Sequence, residues 1–161
     1  MTRFIAAIFM TLFGLSPALA QNAGEIARVQ AGQSCAGCNL FQADLAYRDL
    51  PGVNLAGSRL RQADLSLATM NRADFNGANM SVSNLFGARF TRANFRNTNL
   101  QHAVLVGAYL GGADLRGADL TGANLSGADL QTAGGLTQAQ LNTACGDSST
   151  RLPAGLNIAN C

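Results

Sequence analysis

The stretch Ala113-Asp114-Leu115-Arg116-Gly117-Ala118-Asp119-Leu120-Thr121-Gly122-Ala123-Asn124-Leu125-Ser126-Gly127-Ala128-Asp129-Leu130 decides the fold. Its large apolar residues recur every five positions. The same step, followed backwards, meets Leu110, Leu105, Leu100, Phe95, Phe90, Leu85, Met80, Phe75, Met70, Leu65, Leu60, Leu55, Leu50, Leu45 and Leu40. The series from 40 to 130 thus holds nineteen large apolar residues without a slip. A small residue, usually Ala, stands two places before most of them, and Asp or Asn is common in between, as at Asp44, Asp64, Asn79 and Asp114.

This period excludes both regular elements. Five residues of α-helix turn the chain by about 500°, which scatters the leucines around the cylinder. In a straight strand, residues five apart point to opposite faces. All nineteen can be buried only if the chain bends once per repeat and brings each large residue back inside. The small and large residues, two apart, then share the inner side of a short extended segment, and the residue between them faces out. A fixed short period of this kind means a solenoid, held together by contacts between neighbouring repeats.

Units such as Ala113-Asp114-Leu115-Arg116-Gly117 and Ala123-Asn124-Leu125-Ser126-Gly127 resemble the pentapeptide-repeat family, over residues 38–134. The resemblance implies an all-β solenoid, a right-handed quadrilateral β-helix with twenty residues per coil. Nineteen repeats then make about 4.75 coils, a rod roughly 23 Å long at about 4.8 Å per coil. It also implies inner columns, with Phe75 under Phe95 and with Met70, Phe90 and Leu110 sharing another. Burial of each large residue contributes about 1.5–3 kcal/mol. The start is poorer. Arg48 takes a small inward slot, Pro51-Gly52 follows, and Val53 is large for its slot. Because an unpaired buried charge is costly, a bulged first coil that turns Arg48 outward is expected.

The ends read differently. Arg3, the apolar run from Phe4 to Leu15, Pro17 and the small residues Ala18 and Ala20 form a secretory signal pattern over residues 1–20, with cleavage after Ala20. Residues 21–37 form an N-terminal cap, with a short helix or strand around Glu25–Val29. Residues 135–161 form the other cap. There Thr137-Gln138-Ala139-Gln140 reads as a capping box opening a helix through about Ala144, followed by an irregular tail.

The four cysteines fall in two groups, Cys35 with Cys38 and Cys145 with Cys161, at opposite ends of the rod. Bridged α-carbons lie within about 7 Å, so pairing must be local. Cys145–Cys161 is expected as a structural bridge closing the tail, in an oxidising compartment. Cys35 and Cys38 occupy a large-residue slot and a small inward slot, and stay either bridged or free. Their C-x-x-C spacing permits a thiol-redox reading, which the lack of a βαβ context disfavours. Asn39 stands where haem attachment wants His, and the distance between the ends excludes a four-cysteine zinc site.

Composition narrows the function. The 161 residues are 12% charged and 48% hydrophobic, with net charge +2, a single His and no Trp. His102 sits in an outward slot beside Gln101, so a non-enzyme without cofactor or metal is expected. Apart from the signal there is no membrane-span pattern. Mimicry of DNA, which some cytosolic family members perform with acidic surfaces, does not suit a near-neutral exported chain. Ice binding wants a threonine ladder, whereas Thr69, Thr91 and Thr121 fall in different columns. What remains is an exported scaffold, periplasmic or extracellular, that binds a protein or a second copy of itself, with no nucleic acid partner. Two candidate surfaces follow from the twenty-residue register. One is apolar: Phe86 below Val106, with Val82, Val104, Leu67 and Tyr47 nearby. The other is a basic edge for an anionic surface: Arg72 below Arg92, Arg96 below Arg116, and Arg89.

Overall fold

A computed structural model describes residues 21–161. The signal segment read from residues 1–20 lies outside the described residues. Parallel bridges join each middle residue to the one twenty positions on, from Asn39↔Arg59 and Asp44↔Asp64 in five-residue steps to Asp114↔Gly134. The chain is therefore a β-solenoid with twenty residues per coil.

The repeat Ala73–Gly77 shows why the sequence takes this path. Ala73 N–H closes a turn onto Met70 O at 3.2 Å, Asp74 N–H reaches Val53 O of the coil below at 2.9 Å, and Phe75 N–H and Gly77 N–H reach Asn94 O and Arg96 O of the coil above at 2.8 and 2.9 Å. That leaves the N–H of Asn76, the first turn residue, which donates to Asp74 Oδ1 at 3.0 Å. All five donors are satisfied, as buried or half-buried backbone requires. The same bond recurs at Asp44, Asn54, Asp64, Asn79, Asn84, Asn94, Asn99, Asp114, Asp119, Asn124 and Asp129. Asp and Asn thus occupy the middle slot because their side-chain oxygen supplies the one acceptor that the coil lacks.

The nineteen large residues from Leu40 to Leu130 are all at most 3% exposed. Phe75 stacks on Phe95 at 5.0 Å with planes 12° apart, and Phe90 meets both edge-on at 5.8 and 5.2 Å. Ser58, Ser83 and Thr98 take small inward slots and are fully buried. Their hydroxyls donate to Cys35 O, Met80 O and Phe75 O at 2.9, 2.6 and 2.8 Å, which offsets their desolvation.

Three features differ from the sequence reading. Arg48 is exposed, but there is no bulge: Asp49 bridges Thr69, and Thr69 N–H reaches Arg48 O at 2.8 Å, in register. No coil precedes Arg48 in its column, so its side chain reaches solvent without leaving the register. Val53, whose column also begins there, fits its slot at 3% exposure. Second, the ladder begins before residue 38, since Cys35 N–H already reaches Asn54 O at 2.8 Å. Helix α1 (Ala23–Gln30) lies at this end, N-capped by the Asn22 side chain. It buries Val29 in the core, and its Glu25 Oε2 accepts from Asn39 N–H at 2.6 Å.

Third, helix α2 (Gln138–Leu141) has the capping box between Thr137 and Gln140 but stops at Leu141, short of Ala144. It stops because the tail rejoins the solenoid. Leu125 N–H reaches Cys145 O at 2.7 Å and Leu130 N–H reaches Arg151 O at 2.8 Å. Cys145 bridges Asn124 and Arg151 bridges Asp129, spacings of 21 and 22 in place of 20. Gln140 Nε2 donates to Leu115 O and Ala118 O, both at 2.9 Å, which seats the helix on the last regular coil.

Candidate functional site

In each repeat the small, middle and large residues form one side of the coil, and the two turn residues form the corner. Phe86 and Val106 are one coil apart at the corner that follows the leucines 45 to 125. Leu67 shares that corner and lies across Gly87, where an added Cβ would come within 2.7 Å of Leu67 Cδ2. Tyr47 stands one coil below Leu67 and is the most exposed of the set, at 76%. Val104 lies on the side leading into the corner, and Val82 at the preceding corner. Phe86, Val82, Leu67 and Val104 are exposed, and Val106 is half-buried. The corner thus gathers Phe86, Val106, Leu67 and Tyr47, with Val104 adjoining and Val82 one side away.

Val104 breaks the repeat rule described above. Asn84 and Asn124, its neighbours in the column, accept from Phe86 N–H and Ser126 N–H at 3.2 and 2.9 Å. Val104 offers Val106 N–H no such acceptor. A Val104→Asn change is expected to raise stability by about 0.5–1.5 kcal/mol, the usual net gain of one hydrogen bond, in urea denaturation. An unchanged or lower midpoint contradicts the accounting.

Tyr109 also departs from the rule, and sequence reading missed it. Its ring is exposed, the Arg89 guanidinium carbon sits 5.7 Å from its centroid, and its hydroxyl lies against Gly111, where an added Cβ would clash with it. The available signal was a residue other than Asp or Asn in the middle slot.

The arginines do not form one edge. Arg72 and Arg92 occupy one corner, and Arg96 and Arg116 the next, with a side bearing Asp74, Asn94 and Asp114 between them. Asp114 binds the second pair: Arg116 Nε donates to both its oxygens at 2.9 and 3.0 Å, and Arg96 lies 3.9 Å away. The Arg116 hydrogen bond holds the Asp114 carboxyl down at about 2, from an ordinary 3.8. A depressed carboxyl contributes stability above its ordinary value, and that contribution is lost as pH falls toward 2. An Arg116→Gln protein is therefore expected to titrate Asp114 nearer 3.8 by NMR; an unmoved titration refutes the assigned cause. Arg72 and Arg92 make no ion pair among the described residues. A groove of about 450 Å³ lies at their corner, lined by Pro51, Gly52, Asn71, Arg72, Thr91 and Arg92.

Cys35 is bonded to Cys38, with α-carbons 5.5 Å apart, and Cys145 to Cys161, with α-carbons 4.8 Å apart. Cys35 and Cys38 are buried, at 4% and 8% exposure, and belong to the core cluster. His102 is exposed, its ring lying against Gly122. Among the described residues no group of three His, Cys, Asp or Glu could hold a metal ion, and no helix is long and apolar enough to cross a membrane.

A filled interior and parallel bridges between coils of twenty residues define a repeat solenoid. The pentapeptide repeats pattern matches residues 38–77, 63–101 and 98–133 in eight copies, and the chain belongs to the pentapeptide-repeat family. Among solved structures, it is similar to HetL of Nostoc sp. strain PCC 7120, a pentapeptide repeat protein involved in heterocyst differentiation regulation. Identity is 28%, the TM-score is 0.31, and the match covers 80% of this chain and 61% of HetL, less than two thirds of its length. A second Nostoc PCC 7120 pentapeptide repeat protein is 24% identical, over 88% of this chain and 93% of its own, with a TM-score of 0.44. A thylakoid-lumen member from Arabidopsis thaliana is 26% identical, over 76% and 83%, with a TM-score of 0.35. No curated protein matches the chain.

Proposed function

We propose that the protein is an exported, non-catalytic binding scaffold that docks a protein on its apolar corner and turns its arginine side to an anionic surface. In this reading the rod is a right-handed quadrilateral of about 4.75 coils between caps at residues 21–37 and 135–161. Segment 1–20 directs it to the periplasm or cell exterior, where two disulfides suit the oxidising conditions. The observation that carries the reading is the apolar corner. Equivalent positions hold Ser66, Ser126, Gly107 and Gly127, so the coil does not require Phe86, Val106 or Leu67 there. A contiguous exposed apolar group is how interaction sites are marked. His102, the single histidine, is exposed with its ring against Gly122, the setting of a surface residue.

The test is crosslinking of the exported protein in cells, with the mature N-terminus read at Gln21. A discrete homodimer or hetero-adduct is expected, lost in Phe86→Ser with Val106→Ser while the melting temperature moves by less than about 2 °C, since neither residue belongs to the core columns. Unchanged adducts in that variant refute the corner as a docking surface. A chain that stays in the cytoplasm with residues 1–20 attached refutes export.

A further inference from the structure

The groove at the Arg72 and Arg92 corner is the one where two arginines stack one coil apart without a carboxylate partner among the described residues. Second turn residues from Gly37 to Gly127 adopt left-handed φ, and in this column Gly52 and Gly112, at 69° each, bracket Arg72 at 59° and Arg92 at 56°. Left-handed backbone disfavours a side chain, and the glycines on either side show that the coil does not need one here. The two arginines are one coil apart, so their α-carbons stand about 4.8 Å from each other, and no carboxylate pairs with either among the described residues. Like charges are thus stacked in a conformation that favours glycine.

The remaining lining also donates. On the side leading to this corner the middle slots hold Asp49, Thr69, Arg89, Tyr109 and Asp129, the last paired with Arg151. Asp49 precedes Pro51, which has no N–H, and Thr69 is neither Asp nor Asn, so the N–H of Asn71, like that of Val106, lacks the acceptor that Asp or Asn supplies in most repeats. The Asn71 Oδ1 is taken by Thr91 N–H at 2.9 Å. No acidic residue lines the groove. One coil above the groove Arg92 leans over Gly112, its Cγ 3.2 Å from where a Cβ would stand, and the Tyr109 ring lies along Gly111 with the Arg89 guanidinium over it, 5.7 Å from its centroid.

From this we infer that the groove binds an anionic polysaccharide with a carboxylate on each sugar, running along the rod axis past Arg72 and Arg92 to the Tyr109 ring. Guanidinium groups stacked at the coil spacing meet successive carboxylates through charge-assisted hydrogen bonds. The Asn71 N–H adds a fixed donor between them. The aromatic platform favours a sugar over a bare anion, because the C–H face of a pyranose packs on a ring while its edges stay polar. A bilayer headgroup plane would meet the exposed corner arginines of both corners alike and would leave Tyr109 without a role. The inference rests on the reading of the arginine side as anion-facing and narrows it to one corner and one chemical class.

The experiment measures binding of the full exported protein to oligomeric alginate, a polyuronate, against neutral dextran and phosphatidylglycerol vesicles. Salt-sensitive binding to alginate is expected, with none to dextran and less to vesicles. Arg72→Gly with Arg92→Gly should weaken it at least about tenfold while the melting temperature stays or rises, because glycine suits left-handed φ. Tyr109→Ala should weaken alginate binding and leave any vesicle binding unaltered. Equal binding by the double-glycine variant, tighter binding to vesicles than to alginate, or indifference to Tyr109→Ala each overturns the inference. The Phe86→Ser with Val106→Ser protein should bind alginate as the wild type does. Alginate binding without a crosslinked partner therefore removes the apolar-corner reading alone, and a crosslinked partner without alginate binding removes this inference alone.

Discussion

Leu105→Arg is expected to abolish the cooperative unfolding transition of the rod at ambient temperature. Leu105 is 0% exposed and shares its column with Leu65, Leu85 and Leu125, all equally buried. An arginine there has no counter-charge. The nearest inward hydroxyl in the adjoining small column, Ser83, already donates to Met80 O at 2.6 Å. Leaving a charge buried and unpaired costs several kcal/mol, commonly about 3–5, against a total stability of about 5–15 kcal/mol for a domain. The side chain cannot reach solvent as that of Arg48 does, because coils lie on both sides of Leu105, with Leu105 N–H on Asn124 O above at 2.8 Å and Leu85 N–H on Val104 O at 2.7 Å below. A solenoid is stabilised coil by coil, so a break at its middle leaves two short stacks, neither able to bury its column. Far-UV circular dichroism against temperature reads the loss. Asn76→Lys, at an exposed corner, serves as the control and should melt like the wild type. If Leu105→Arg also melts within about 2 °C of the wild type, residue 105 does not face inward.

The reason Leu105 can be placed so firmly is that a period of five has one physical solution, and every inward residue from Leu40 to Leu130 follows from it. The stacking of Phe75 on Phe95 follows from the twenty-residue coil. The role of Asp and Asn was legible as a position but not as a bond. Their outward direction follows from the alternation, whereas the open N–H that they satisfy appears only when every backbone donor of the repeat is followed to its acceptor. That bond is also what makes Val104 and Tyr109 informative, since each gives up an acceptor that the coil uses elsewhere.

The C-terminal tail was not legible because its ladder is written in backbone, not in side chains. Cys145 and Arg151 enter the solenoid at spacings of 21 and 22, so no apolar period marks them. The arginine side was half legible. Register placed Arg72 under Arg92 and Arg96 under Arg116, but the side that separates the two corners, and the Asp114 carboxylate that neutralises one of them, depend on where the turns fall. Charge patterns read along the chain treat such pairs as equivalent; in the fold one is ion-paired and the other lines a groove.

Phe95→Ala is expected to cost about 3–5 kcal/mol, and to do so locally. Phe95 stacks on Phe75 at 5.0 Å and meets the edge of Phe90 at 5.2 Å, so its removal deletes two aromatic contacts as well as the buried area. Each such contact adds about 0.5–1.5 kcal/mol beyond burial. The cavity cannot close. The coil spacing above and below is held by Phe95 N–H to Asp114 O at 2.8 Å and Phe75 N–H to Asn94 O at 2.8 Å, and the inward neighbours Ala73 and Ala93 are too small to swing into the space. Phe95→Leu should cost less, because Leu55 and Leu115 show that the column accepts leucine at both ends, but it still loses the stack on Phe75. Since coils are stabilised by their neighbours, amide exchange should accelerate first at Asn94, Asn97 and Asp114. The amides of Leu125 and Leu130, bonded to Cys145 O and Arg151 O at the far end, should keep more of their protection. A cost below about 1 kcal/mol in urea, or exchange that accelerates uniformly along the rod, would show that the phenylalanine trio is not the joint between the two halves of the solenoid.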